Sequence, residues 1–244
     1  MLRIGLVLPD VLGTYGDDGN ALVLRQRARM RGMDAEIIRI TYGNAVPDDL
    51  DVYTLGGGED TAQILATAHL AKDGGLNRAA DNGRPILAIC AGLQVLGHTF
   101  RAGGRTIDGL GLIDATTGGL NKRAIGEVAT TPVAAKDWAG QLTSPLTGFE
   151  NHMGSTILGP DARPLGTKTR GIGNTDDPAH AGAEGAVQGS VIATYMHGPA
   201  LARNPQLADL LLAQALGKKL SDLEPLEIAE VSKLRSERLG KNAD

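Results

Sequence analysis

Cys90 is the residue in this sequence best placed for nucleophilic chemistry. It directly follows the apolar run 86–89. The small residues Ala91 and Gly92 come next, and after them the apolar segment 93–96. This pattern predicts a buried strand, a sharp turn and a helix. A helix N-terminus beneath the sulfur would stabilise a thiolate and would offer backbone N–H groups to a developing oxyanion.

The alternative for Cys90 is an inert buried thiol, because a lone cysteine is often a small apolar core residue. Cys90 is the single cysteine of the sequence, which excludes an internal disulfide framework and an all-cysteine zinc site. We predict no metal site, and we expect a cytoplasmic protein because a lone thiol stays reduced there. The turn between strand and helix favours the nucleophile.

Five histidines could supply the general base. His197 follows the apolar run 191–195, and a histidine just beyond a strand can meet a cysteine beyond a neighbouring parallel strand. His152, within residues 149–154, is the second candidate. The other three have other predicted roles. His69 is predicted to lie within a helix, His98 to cap the C-terminus of a helix, and His180 to lie in a solvated loop.

The elements that must position these residues alternate between strand and helix, which predicts an α/β fold with a mostly parallel, twisted sheet flanked by helices. Strands are predicted at 3–8, 35–40, 52–55, 86–89 and 191–195, and helices at 20–31, 61–70, 75–81 and from 205 onward. Residues 101–189 are richer in Gly, Thr and Pro and have shorter apolar runs. They predict an antiparallel section of strands and loops in the second half of the chain.

Length and composition limit the other function classes. From the length of 244 residues we expect one domain, which covers 1–217. The charged C-terminal tail, 218–244, is predicted to form a peripheral helix. The net charge of −4 and the aromatic content of 3% argue against nucleic-acid binding. No apolar run approaches the roughly 20 residues that a membrane span requires.

Four separated segments of the sequence resemble the CobB/CobQ-like class I glutamine amidotransferases. They are the oxyanion loop at 55–60, the nucleophile segment at 90–97, the Glu-x-His-x-Gly segment at 148–154 and the general-base segment at 193–199. The resemblance implies that Cys90 attacks the side-chain amide of L-glutamine and that His197 acts as the base. It also implies an oxyanion held by backbone N–H groups of Ala91 and of the loop containing Gly57 and Gly58.

The resemblance extends to the substrate-binding residues. Arg123 lies where similar enzymes place a glutamine-binding arginine, and a guanidinium can grip a carboxylate with two hydrogen bonds. An exposed charge beside Lys122 is the alternative for Arg123. Gln94 matches the glutamine of the nucleophile helix, and either lines the site or occupies a plain helix face.

The sequence departs from the family pattern after His197. Class I enzymes have Glu two residues later, where this sequence has Pro199. Three possibilities stay open for the acid that would orient His197. Cys90 and His197 act as a dyad without such an acid, Glu150 supplies it, or a partner chain supplies it. The resemblance favours the partner, which would make glutaminase activity dependent on it.

Within the family, the chain is similar to the stand-alone glutaminase subunits of lipid II isoglutaminyl synthases. This implies a heterodimer with a Mur-ligase-like (MurT-like) synthetase subunit, which holds ATP and Mg and amidates the D-glutamate α-carboxyl of lipid II. No cofactor is expected in this chain, which lacks a G-x-x-x-x-G-K-[ST] loop. The alternatives are service to another synthetase of the cobyrinate type, a different cysteine hydrolase, and a non-catalytic binding module.

Overall fold

The computed structural model describes residues 1–240 as an α/β fold with two six-stranded sheets. The strands are β1 (Leu2–Val7), β2 (Ala35–Ile40), β3 (Val52–Leu55), β4 (Ile86–Ile89), β5 (Thr99–Ala102), β6 (Arg105–Asp108), β7 (Ala115–Pro132), β8 (Leu146–Leu158), β9 (Gly166–Arg170), β10 (Ala183–Glu184), β11 (Ala186–Gln188) and β12 (Val191–Thr194). The helices are α1 (Gly19–Arg29), α2 (Asp60–Asp73), α3 (Gly75–Asp81), α4 (Ala91–Leu96), α5 (Ala200–Arg203), α6 (Pro205–Ala215) and α7 (Ala229–Arg238).

The first sheet has the strand order β11-β12-β4-β3-β1-β2. All its neighbouring pairs are parallel except β11 with β12. Every residue of β3, β4 and β12 is buried, which agrees with the continuous apolar runs from which these strands were predicted. The carboxyl ends of β12, β4, β3 and β1 therefore lie side by side at one edge of the sheet.

The helices form two groups that cover this sheet. Helix α1 packs against α5 and α6, while α2 packs against α3 and α4. Helix α6 begins at Pro205 after Asn204, and Gly217 follows it with a φ of +65°, as expected for a helix end. None of the helices within residues 1–240 has the length and apolar character needed to cross a bilayer.

The second sheet confirms the antiparallel section predicted for the second half of the chain, although its strands are longer than the short apolar runs indicated. Strand β7 has 18 residues and pairs antiparallel with β8, which has 13. The pairing is interrupted between Gly119 and Ala124, where the register shifts. The sequence hides the length of β7 because polar residues and glycines occupy its solvent-facing positions.

The charged tail packs on the body of the molecule. The guanidinium of Arg235, in α7, donates to the backbone oxygens of Arg203 and Pro145 and to Asn204 Oδ1. Residues 241–244 of the predicted tail lie outside the described residues.

Candidate active site

Cys90 occupies a sharp turn between β4 and α4. Its φ of +53° is in the left-handed region, which a residue with a side chain rarely adopts. The backbone N–H of Cys90 donates to the Thr194 carbonyl at 2.8 Å, so the turn is fixed to the end of β12. The residue is 6% exposed and lines a cavity of about 270 Å³.

His197 lies three residues beyond β12 and is held by the second sheet. Its backbone N–H donates to the Phe149 carbonyl at 2.9 Å, and its own carbonyl accepts from the Phe149 N–H at 3.2 Å. The side chain is buried. Its Nε2 is buried and has no partner at hydrogen-bonding geometry among the described residues, and the Cys90 side chain neighbours the ring.

The carboxylate that orients His197 belongs to Asp17, in the loop between β1 and α1. Its Oδ1 and Oδ2 lie 3.1 and 3.2 Å from His197 Nδ1, and the Asp17 side chain is fully buried. This corrects the expectation that the chain offers no acid near His197 except Glu150. Asp17 gives no functional signal in the sequence, because Asp17 and Asp18 look like residues that begin a helix.

Gly57 brings the three side chains together. Its N–H donates to Asp17 Oδ2 at 3.0 Å, so this predicted oxyanion donor is already paired in the structure. A β-carbon at Gly57 would lie 3.2 Å from His197 Cε1 and 3.3 Å from Cys90 Cβ. A single methyl group at this position would therefore contact both the His197 imidazole and the Cys90 β-carbon.

The surroundings of His197 favour its charged form. Burial lowers the pKa of its imidazole, but the hydrogen bond to Asp17, the neighbouring Cys90 sulfur and the charges of both outweigh burial and raise the pKa to about 10. The ring of Tyr15 covers the imidazole at a centroid distance of 4.8 Å. An imidazolium in this position stabilises a neighbouring thiolate by its charge.

Two other predicted oxyanion donors remain unoccupied. The N–H of Ala91, the first residue of α4, and the N–H of Gly58 have no acceptor within residues 1–240. The first four N–H groups of a helix lack partners within the helix, so the Ala91 donor is a property of the turn itself. Gly58 also lines the Cys90 cavity.

The structure places Arg123 and Gln94 in the wall of the same cavity. Arg123 lies in the irregular part of β7, and its Nε donates to Asn151 Oδ1 at 2.8 Å. Gln94 is buried on α4, and its Nε2 donates to the Tyr195 hydroxyl at 3.2 Å. Arg123 and Arg101 are both exposed cations of the cavity wall, whereas Gln94 belongs to a buried hydrogen-bond network.

Glu150 and His152 form a buried pair, and His152 lines the Cys90 cavity. Glu150 accepts hydrogen bonds from the N–H groups of Ile172 and Gly173, and its Oε2 lies 3.9 Å from His152 Nε2. His152 stacks on the ring of Tyr195 at a centroid distance of 3.7 Å. The described contacts of Glu150 do not include His197, so Glu150 does not orient that imidazole.

The other histidines lie in different surroundings. His69 Nε2 hydrogen-bonds to the Asn44 carbonyl at 2.9 Å. His98 lies 3.3 Å from an oxygen of Asp114, and His180 lies 2.9 Å from one of Asp177. None of these three rings lines the Cys90 cavity.

The chain matches known glutamine amidotransferases along most of its length. Residues 3–205 match the CobB/CobQ-like glutamine amidotransferase domain. A protein of Staphylococcus aureus (strain N315), the GatD subunit of a glutamine-hydrolysing lipid II isoglutaminyl synthase, is 34% identical and covers 98% of this chain and 94% of its own. Its Streptococcus pneumoniae (strain ATCC BAA-255 / R6) counterpart is also 34% identical, over 89% of this chain and 82% of its own.

Solved structures agree on the fold. A glutamine amidotransferase of Thermotoga maritima superimposes with a TM-score of 0.53 at 15% identity, covering 98% of this chain and 94% of the other. The parallel sheet flanked by helices is thus the fold of class I glutamine amidotransferases. With its domain match and its two relatives of similar length, the chain belongs to the CobB/CobQ-like glutamine amidotransferase family.

Proposed function

We propose that this chain is a glutaminase subunit that hydrolyses L-glutamine to glutamate and ammonia through a thioester on Cys90. The main support is the arrangement of Cys90, His197 and Asp17 beside a cavity whose wall carries Arg123. A thiol, an imidazole and an orienting carboxylate are the groups that acyl transfer from an amide requires.

In the proposed reaction, the Cys90 thiolate forms a bond to the side-chain amide carbon of glutamine. The N–H groups of Ala91 and Gly58 bind the resulting oxyanion. His197 gives its Nε2 proton to the amide nitrogen, and the C–N bond breaks to release ammonia. His197 then takes a proton from water, whose oxygen attacks the thioester. The C–S bond breaks, the thiolate returns, and the new carboxyl group loses its proton to solvent.

Asp17 has two tasks in this scheme. Its carboxylate holds Nδ1 of His197 in the protonated form, so that Nε2 is the nitrogen that exchanges protons with substrate and water. It also keeps the loop containing Gly57 in place. We propose that the acid is supplied within this chain, in place of the partner's acid that the family resemblance favours.

We further propose that the ammonia serves a Mur-ligase-like (MurT-like) synthetase subunit in a cytoplasmic heterodimer. That subunit would hold ATP and Mg and would amidate the D-glutamate α-carboxyl of lipid II, while this chain would carry no cofactor. The support is that the relatives from Staphylococcus aureus and Streptococcus pneumoniae, matched over most of both chains, are subunits of a lipid II isoglutaminyl synthase.

The experiment combines this chain with the Mur-ligase-like chain of the same organism. Glutamate release from L-glutamine is measured for the isolated chain and for the complex, and amidation of lipid II is measured with ATP and Mg. We expect both products with the wild-type chain, and neither glutamate nor glutamine-dependent amidation with Cys90→Ala. Free ammonia should still support amidation by the complex containing Cys90→Ala. Glutamate release by that variant would contradict the proposal.

A further inference from the structure

The part of the Cys90 cavity formed by α2 contains a buried acceptor without a donor. Gln63 is 6% exposed and lines the cavity, and its Oε1 has no hydrogen-bond partner among the described residues. The Nε2 of the same amide donates to Gln94 Oε1 at 2.9 Å. A buried amide oxygen left without a donor costs about 1–3 kcal/mol. A ligand that fills the cavity and donates to this oxygen would recover that free energy.

The Gln63 amide belongs to a chain of buried hydrogen bonds. Gln94 Nε2 donates to the Tyr195 hydroxyl, so Gln94 Oε1 is the atom that receives the Gln63 Nε2. The Tyr195 hydroxyl lies 2.6 Å from Thr156 Oγ1, and either oxygen can be the donor in this hydrogen bond. With its Nε2 paired in this chain, the buried Gln63 amide has its oxygen, an acceptor, left without a partner among the described residues.

The lining of the cavity carries two carboxylates, Glu59 and Asp60, and two guanidinium groups, Arg101 and Arg123. Glu59 and Asp60 precede Gln63 by one helical turn, and all three line the cavity. Arg123 lies on a different wall, formed by β7 and β8. A zwitterion with its anionic group at Arg123 and its cationic group at the α2 wall would match both.

We propose that Gln63 is a specificity-determining residue whose Oε1 accepts a hydrogen bond from the α-ammonium group of the substrate. This inference rests on the proposed function, in which the substrate is L-glutamine. With the side-chain amide at Cys90 and the α-carboxylate at Arg123, the α-ammonium group is the remaining donor. The carboxylate of Glu59 adds a favourable charge. A substrate without the ammonium group leaves the Gln63 oxygen unpaired and is discriminated against.

The test uses two electrophiles that label the nucleophile. One is 6-diazo-5-oxo-L-norleucine, which carries the α-ammonium group, and the other is 6-diazo-5-oxohexanoate, which lacks it. Second-order rate constants for labelling of Cys90 are measured by mass spectrometry on the full-length chain. We expect the wild type to react about 10- to 100-fold faster with the first probe, the range for a hydrogen bond to a charged group.

Two substitutions at Gln63 separate recognition from structure. Gln63→Met keeps the length of the side chain and removes the acceptor. It should lower the rate constant for labelling by the first probe about 10- to 100-fold, and should change that for the second probe by less than about threefold. Gln63→Glu keeps an acceptor and should retain the preference for the first probe. Leu65→Ala, on the exposed side of α2, is the control for changes in helix stability and should leave both rates unchanged.

The outcomes are distinct. Equal slowing of both probes by Gln63→Met would show a structural role alone and would overturn the inference while leaving the proposed function intact. An unchanged rate with the first probe would overturn it as well. If the first probe fails to label Cys90 in the wild type, the proposed function fails, and this inference fails with it.

Discussion

The carboxylate of Asp17 lies 3.1 Å from Nδ1 of His197, although 180 residues separate the two in the sequence. The same carboxylate accepts a hydrogen bond from the N–H of Gly57, in the loop after β3. One side chain therefore connects the loops that follow β1, β3 and β12. These strands and β4, which ends at Cys90, are neighbours in the sheet, so four adjacent strand ends build the site.

Replacing Asp17 with Asn should lower glutaminase kcat by about 10² to 10³, within the range for general acid–base catalysis. An Asn can still accept from Gly57 N–H, but it offers an amide donor or a weaker acceptor to His197. Because Asp17 raises the pKa of His197, its loss should also move the alkaline limb of the pH dependence of kcat/KM to lower pH. Rates of glutamate formation between pH 6 and pH 10 measure both effects.

Asp18→Asn is the matched control, because Asp18 is adjacent in sequence and its carboxylate lies 3.8 Å from Arg39 instead of His197. It should leave the alkaline limb in place. If Asp17→Asn lowered kcat without moving that limb, Asp17 would act on the loop alone and not on the proton affinity of His197.

Much of the fold could be predicted from the sequence because its signals are local. The strands at 35–40, 52–55 and 86–89 have the predicted bounds, since each is an apolar or β-branched run between turn residues. Cys90 directly follows such a run, and His197 lies three residues beyond the neighbouring strand β12, so both could be predicted as site residues. Strand β7 was predicted less well, because its interior contains Gly118, Gly119 and several charged residues.

Asp17 could not be predicted from the sequence by the same reasoning. It lies in a turn-rich segment, and its contact with His197 exists only because β1 takes its place beside β3 in the sheet. Strand order is a property of the whole chain. Gly57 presents a related problem, since the sequence signals a loop but does not reveal that Asp17 occupies its N–H.

The backbone at Cys90 should be strained, and this can be measured. A φ of +53° costs a residue with a β-carbon roughly 1–2 kcal/mol, whereas glycine adopts it freely. Cys90→Gly should therefore have a higher free energy of unfolding than Cys90→Ala, by about 1 kcal/mol. Urea denaturation of the two inactive variants gives the difference directly. Equal stabilities would mean that the turn relaxes once the thiol is removed.

Arg123 should act mainly on substrate binding. Arg123→Ala should raise KM for glutamine by about 10- to 100-fold, the range for hydrogen bonds to a charged group, with a smaller change in kcat. Arg123→Lys keeps the charge but loses the two-pronged contact with a carboxylate, so it should recover only part of the loss. Steady-state kinetics of glutamate release measures both constants.

Lys122→Ala is the control for the charge at this position, since Lys122 is exposed and does not line the cavity. Its KM should stay within about twofold of the wild type. If KM rose more in Lys122→Ala than in Arg123→Ala, Lys122 and not Arg123 would bind the carboxylate of the substrate.

Glu184 should make the folded state less stable as pH rises. Its carboxyl group is fully buried, and burial raises its pKa to about 7 despite hydrogen bonds from Thr194 Oγ1 and the Tyr195 N–H. Between the unfolded value of 4.5 and about 7, the folded chain keeps a proton that the unfolded chain releases. Stability therefore falls with pH across this window, and the loss from this group is about 3 kcal/mol.

Glu184→Gln removes the titration. The free energy of unfolding of this variant, relative to that of the wild type, should therefore increase between pH 4.5 and pH 8, as urea denaturation across that range would show.

Glu150→Gln is the control of opposite sign. Burial raises the pKa of Glu150, but His152 and the N–H groups of Gly173 and Ile172 outweigh burial and lower it. Glu150 thus stabilises the fold above its unfolded pKa, and its replacement should cost stability at neutral pH. If both variants responded to pH with the same sign, the different surroundings of the two carboxyl groups would not be governing their proton affinities.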